Sequence, residues 1–161
     1  MSARAAGPSN IERRLTNLGI ELSAPPTPFG NYVEVLQSGN LLFLSGMLPV
    51  VDHKPKYVGR LGKELDAEQG RDAARTAGLS ALAALKAYLG TLDRVRRIVR
   101  IGVLMVTSGD FVDQPKVADG ASDLFRDVFG AEGISPRLVV GVASLPLDLP
   151  IELEVIAEVK K

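Results

Sequence analysis

The sequence contains no cysteine and no tryptophan, and histidine occurs once, at His53. Without thiols the chain forms no disulfide, thiolate nucleophile or iron–sulfur cluster, and one imidazole cannot assemble a zinc site of nitrogen and sulfur ligands. The expectation is a protein with no metal and no organic cofactor. Charge of one sign is lacking too: 19 basic residues stand against 19 acidic ones, so no field of the whole chain holds a phosphate backbone. Four arginines cluster at Arg94, Arg96, Arg97 and Arg100, but no aromatic residue is interleaved to stack a base. They read as a solvated strand entrance, and nucleic acid is not an expected partner. Long apolar runs are also missing. Nowhere do roughly eighteen apolar residues pass without a charge, and no apolar stretch follows Arg4, so neither membrane insertion nor secretion is expected. A cytoplasmic protein fits these absences.

What is present is enough apolar material for one core: 46% of 161 residues are hydrophobic, which suits one domain over residues 9–161 behind a loose tail at 1–8. Ser9 or Asn10 starts a short amphipathic helix through Ile11, Leu15 and Leu18, stopped by Gly19. "APPTPFG" carries three prolines in seven residues and reads as an extended connector. "YVEVLQSGNLLFLSG" reads as two strands around Ser38-Gly39-Asn40. Residues 51–65 mix Pro, Gly and charge without periodicity and look like a surface loop.

Asp66 then caps the longest helical pattern, closed by Gly90, with mostly alanine on its inward side. Ile101 to Val106 is continuously apolar, as in a central strand buried on both faces. A second helix runs from about Asp113, with Pro115 in its first turn and Val117, Ala121, Leu124, Phe125 and Val128 inward, and Gly130 ends it. The chain closes with two strands. This order predicts an α+β fold, a mixed sheet with two helices on one face and a short N-terminal helix added. The open face of that sheet is apolar, and self-association would cover it.

Several motifs carry no chemistry. "YVGRLGKE" lacks the spacing of a phosphate loop between strand and helix. Ser45 and Ser135 have no histidine partner in a recognisable frame. His53 sits among charges, where a solvated imidazole is the ordinary outcome.

The two C-terminal strands are more informative. In "RLVVGVAS", Arg137 and Val139 share one face. In "IELEVIAEV", Glu152, Glu154 and Glu158 point away from an apolar face. Paired as a hairpin around "LPLDLP", the strands would set Glu152 opposite Ala143, about 20 Å from Arg137. A site that uses both residues would then need two subunits. Spacing alone equally allows Arg137 to be a surface ion pair and the glutamates a solvated face.

"GNYVEVLQSGNLLFLSGMLP" followed by "PRLVVGVASLPLDLPIELEVIAEV" resembles the RidA/YjgF family of imine and enamine deaminases, also labelled endoribonuclease L-PSP, over approximately residues 28–159. The N-terminal helix and proline-rich connector resemble a longer branch of that family. The resemblance implies a chorismate-mutase-like fold and a homotrimer with sites between subunits. It also implies hydrolysis of 2-imino or 2-enamino acids, such as 2-aminoacrylate, to 2-keto acids and ammonia.

By resemblance, Arg137 grips the substrate carboxylate, a task that suits a guanidinium fork, and Glu152 positions the attacking water. Tyr32 lines the pocket and Gly46 brings backbone to the ligand. Three positions depart from the family pattern. Val139 stands where a cysteine is frequent, so only its backbone amide serves. Asp119 stands near a common asparagine, and Met47 replaces a glutamine. The departures leave two alternatives: a trimer that binds small carboxylic acids without turnover, and the ribonuclease or translation-inhibitor activity attached to some relatives.

Overall fold

The computed structural model describes residues 10–161; the tail expected at 1–8, and Ser9, lie outside the described residues. Asn10 caps α1 (Ile11–Asn17) by accepting from the Arg13 amide at 2.8 Å. The helix is tied to the molecule by exchanged caps. Asp93 Oδ1 accepts from the Ile11 amide at 2.5 Å, and Glu12 accepts from the Leu92 amide at 2.9 Å. Each carboxylate thus satisfies the orphan donors of the other's turn.

The connector leads to β1 (Val35–Ser38) and β2 (Leu41–Leu44), a hairpin whose turn uses Gly39 at φ 60°. Residues 51–65 are more ordered than the expected loop. Val50–Val51 (β3) pairs with Lys54–Pro55 (β4) around Asp52 and His53, at φ 48° and 64°. Two left-handed residues in a two-residue loop match the twist of a hairpin, and His53 is exposed at its tip.

Helix α2 (Ala67–Leu89) opens with a full capping box, Asp66 accepting from the Gln69 amide and Gln69 from the Asp66 amide. It is followed by β5 (Val95–Val106), α3 (Gln114–Phe129), β6 (Arg137–Val142) and β7 (Ile151–Val159). The helices pack backbone to backbone: a Cβ on Gly120 would overlap the Arg71 carbonyl of α2. The alanines of α2 serve this approach as well as contact with the sheet. Both helices cover one face over a core that includes Phe125, Leu85, Ile101 and Val155.

The strand order is β1-β2-β7-β5-β6, which corrects the expected hairpin of the last two strands. β6 and β7 do not pair. β5 lies between them, parallel to β6 and antiparallel to β7, and Glu152 stands opposite Leu104 rather than Ala143. The reason is α3, which supplies the crossover that parallel neighbours require. β5–α3–β6 is a βαβ unit, and β7 takes the remaining side of β5. Within the buried run of β5, Leu104 alone is half-buried, because its face of the sheet carries no helix among the described residues.

Candidate functional site

Glu152 starts from a local irregularity. Between the pairs Phe43↔Ile156 and Met47↔Leu153 one side advances four residues and the other three, so residues 44–46 hold one extra residue. Such a bulge bends the chain and re-aims it. Here it carries the Gly46 backbone beneath the Glu152 side chain, so closely that a Cβ on Gly46 would overlap the carboxylate. Only glycine leaves that space. The carboxyl group is half-buried, and burial pushes its pKa above the usual carboxylate value, with no basic group among the described residues acting on it.

Around this carboxyl lies an open cleft of about 500 Å³, with Ser45, Gly46 and Glu152 on one wall and Tyr32 on another. The Tyr32 hydroxyl accepts from the Phe29 amide at 2.9 Å, which folds the end of the proline-rich connector over the cleft. Ser45 donates its hydroxyl proton to the Val33 carbonyl at 2.6 Å. That fixes the bulge and occupies the proton a serine nucleophile would have to lose.

Arg137 is built differently. Its register with Ile101 puts it on the helix-covered face, where the guanidinium donates to Asp119 Oδ1 at 2.6 Å, Ser122 Oγ at 3.0 Å and the Pro115 carbonyl at 3.2 Å. All three acceptors belong to α3. Asp119 therefore does not face an incoming anion on its own; it neutralises the arginine. The arginine side chain is 26% exposed, so part of the fork remains open. Val139 lies two residues on, along the outer edge of the sheet. The Ile101 amide donates to the Pro136 carbonyl, and backbone groups alternate sides along a strand. The amides of Arg137 and Val139 therefore point outward, where no strand flanks β6 among the described residues.

The structure brings Tyr32, Gly46 and Glu152 together, and separately Arg137, Val139 and Asp119. It does not bring the two sets together. Arg137 and Glu152 lie on opposite faces, two strands and three registers apart, roughly 14 Å between Cα atoms at ordinary sheet spacings. The expectation that they cannot meet within one chain holds, but the sheet itself separates them rather than distance along a hairpin. Met47, a departure at the sequence level, is buried in the core at 1% exposure and does not line the cleft.

The residues that sequence reasoning passed over are Phe29, Leu48, Pro146 and Leu147, which complete the cleft, and Ser122, which holds Arg137. Phe29 ends the proline-rich connector and Pro146-Leu147 immediately precede β7, so proximity to Tyr32 and Glu152 along the chain was the available signal. Among the described residues, no group of three or more His, Asp or Glu side chains is placed to hold a metal ion. No helix among them is long and apolar enough to cross a membrane.

Comparison with known proteins agrees with this architecture. Residues 12–159 match the YjgF/chorismate-mutase-like family model, a family described as candidate endoribonucleases. The match takes in most of α1 and the connector, which the motifs had left outside. The chain is 41% identical to protein TCP17 of Trypanosoma cruzi, over 98% of each chain. A Shewanella oneidensis crystal structure, described as a candidate endoribonuclease, superposes with a TM-score of 0.91 at 32% identity, covering 94% of this chain and 100% of that one. Escherichia coli TdcF with bound serine superposes with a TM-score of 0.60 at 25% identity, covering 88% of this chain and 97% of that one. With the family model spanning nearly the whole described chain and the fold reproduced, the protein belongs to the YjgF/chorismate-mutase-like, or RidA/YjgF, family.

Proposed function

We propose that the protein hydrolyses 2-imino acids to 2-keto acids and ammonia, at sites formed between the subunits of a homotrimer. The observation that carries this reading is Glu152: a half-buried carboxyl, pKa raised by burial, cleared by Gly46 and with no neighbouring cation among the described residues. Such a group can take a proton from water and return it. An enamine is first protonated at C3 by the neutral Glu152 and becomes an iminium ion, the protonated imine. Water then adds to C2 while Glu152 accepts one of its protons, and that proton passes to nitrogen. Glu152 next takes the proton of the C2 hydroxyl as the C2–N bond breaks, so that the carbonyl forms, ammonia leaves and the acid is restored.

The carboxylate of the substrate requires a cation, and Arg137 of a second copy supplies it. The open sheet face supports such an assembly. Leu36, Phe43 and Leu138 on that face are 58%, 40% and 50% exposed, and burying such a surface is the usual driving force for association. The serine held by TdcF is consistent with an amino-acid skeleton as ligand. A ribonuclease reading has less support, because Arg96 and Arg97 are paired with Glu158 and Glu132 rather than forming a free basic stripe. The Asp119–Arg137 pair favours one competing reading, a trimer that binds carboxylic acids weakly and without turnover.

The test is keto-acid formation from freshly generated 2-imino acids by wild type, Arg137→Ala and Glu152→Gln. Loss of the charge-assisted hydrogen bonds in Arg137→Ala lowers kcat/KM by at least about tenfold. Mixing the two inactive variants in equal amounts restores activity at about a quarter of the sites, because a site between subunits draws its arginine and glutamate independently. Mixed variants that stay inactive would remove the inter-subunit site, and a wild type with no turnover would leave the binding trimer.

A further inference from the structure

The turn that leads into β7 is strained in a way the fold does not explain. Leu147 has φ 58° and ψ 23°, and Asp148 follows at φ 54°. Two successive non-glycine residues in the left-handed region cost roughly 1–2 kcal/mol each, and a leucine gains none of the local hydrogen bonding that makes aspartate tolerable there. The turn is held from both sides. The Leu149 amide donates to the Pro146 carbonyl, the Gly59 amide donates to the Asp148 carbonyl at 2.9 Å, and Leu149 is fully buried. Leu147 itself gains no such burial; it is 54% exposed. A glycine would relax the backbone and an asparagine would satisfy it, yet a branched apolar side chain is held out toward solvent. Strain of this kind concentrates where a side chain has a task beyond stability.

The direction in which it is held is informative. Leu147 joins Phe29, Tyr32, Leu48 and Pro146 along the wall of the cleft that faces Glu152. Phe29 and Tyr32 are themselves 69% and 44% exposed, so three large side chains from two separate segments converge on one opening without burying one another. The cleft, at about 500 Å³, lies within the range of roughly 300–1,000 Å³ that encloses sizeable ligands. A three-carbon acid placed at Glu152 would leave most of this apolar wall against water.

We propose that Leu147, presented by the strained turn, is a specificity-determining residue that makes this site prefer 2-imino and 2-keto acids with long or branched apolar side chains over three-carbon ones. The inference rests on the reading that the substrate lies at Glu152. The ligand's C2 sits at the carboxyl and its side chain extends along Leu147 and Phe29, where each added methylene leaves water.

The experiment compares kcat/KM for the imines of leucine and phenylalanine with that of alanine, each generated in situ by an amino-acid oxidase. Calorimetric binding of 4-methyl-2-oxopentanoate and pyruvate runs in parallel. Wild type is expected to favour the bulky member at least about tenfold in each pair. Leu147→Gly brings that ratio down toward one without lowering Tm, since glycine accepts the left-handed backbone, and the loss of preference cannot then be ascribed to unfolding. A wild type with no preference, a preference unchanged in Leu147→Gly, or no binding of either keto acid overturns the inference. If no imine is turned over but the bulky keto acid binds tenfold tighter through Leu147, the deaminase reading fails while this one stands.

Discussion

β6 and β7 read alike as apolar strands, yet the fold treats them oppositely. β7 lies inside the sheet, with Ile151, Leu153, Val155 and Ala157 fully buried. No residue of β6 is fully buried, and no strand among the described residues flanks one of its edges. Their candidate functional residues differ in the same sense. Glu152 is kept without a counter-charge, in space that a bulge and a glycine hold open. Arg137 is saturated on one side by Asp119, Ser122 and a carbonyl. Away from a cation, burial moves the carboxyl toward its neutral form. At an edge strand the same chain holds its long arginine in place by pairing it. Each half is incomplete in a complementary way: the acid lacks a cation, and the arginine lacks an open cleft.

The strongest way to break this contrast is at Gly46. Gly46→Ala forces the Glu152 carboxyl out of its position, and displacement of about 1 Å at a reacting group costs on the order of 100-fold in turnover. Assayed on imino-acid hydrolysis, the variant is expected to fall by that factor while the keto acid still binds through Arg137. Unchanged kinetics would mean that Glu152 does not act from this position.

Asp119→Asn acts on the other half. It removes the negative charge beside Arg137 but keeps a hydrogen-bonding side chain. A keto acid is expected to bind about three- to tenfold more tightly, and the gain should shrink at high salt, as for any partly exposed charge. Equal affinity in both proteins, measured by calorimetry, would show that the carboxylate does not approach this arginine.

The smallest effect concerns pH. Because burial raises the pKa of Glu152 in the folded protein above its ordinary 4.5, the folded state favours the neutral acid. That contribution to stability is complete below pH 4.5 and is lost as pH rises through the folded value. Glu152→Gln removes the penalty, so its Tm is expected to exceed wild type at pH 8 and to match it at pH 3.5. The gain should be larger in an Arg137→Ala background, and that difference measures how strongly the arginine of another subunit acts on the glutamate.

The elements themselves were legible in the sequence because their signals are local. Asp66, Pro115 near the start of α3 and Gly90 and Gly130 at helix ends fixed both long helices, and Gly39 marked the first hairpin. Alternation in β7 placed Glu152 on the face away from the core. The motifs around Tyr32, Gly46, Arg137 and Glu152 also sufficed to recognise the family. Strand partnership was not legible. "LPLDLP" looks like a hairpin connection from its residues alone, whereas α3, packed through Gly120 onto α2, returns the chain parallel to β5 and leaves β7 the opposite side.

By itself, then, the sequence determined the two long helices, the first hairpin and which face of β7 is acidic, since caps, turns and period-two alternation act over a few residues. Only the tertiary structure decided that Arg137 and Glu152 fall on opposite faces, that Asp119 neutralises the arginine, and that Leu147 is held in a strained turn toward the cleft. Those outcomes depend on which strands become neighbours and how closely two helices approach, and both are set by packing between segments far apart in the chain.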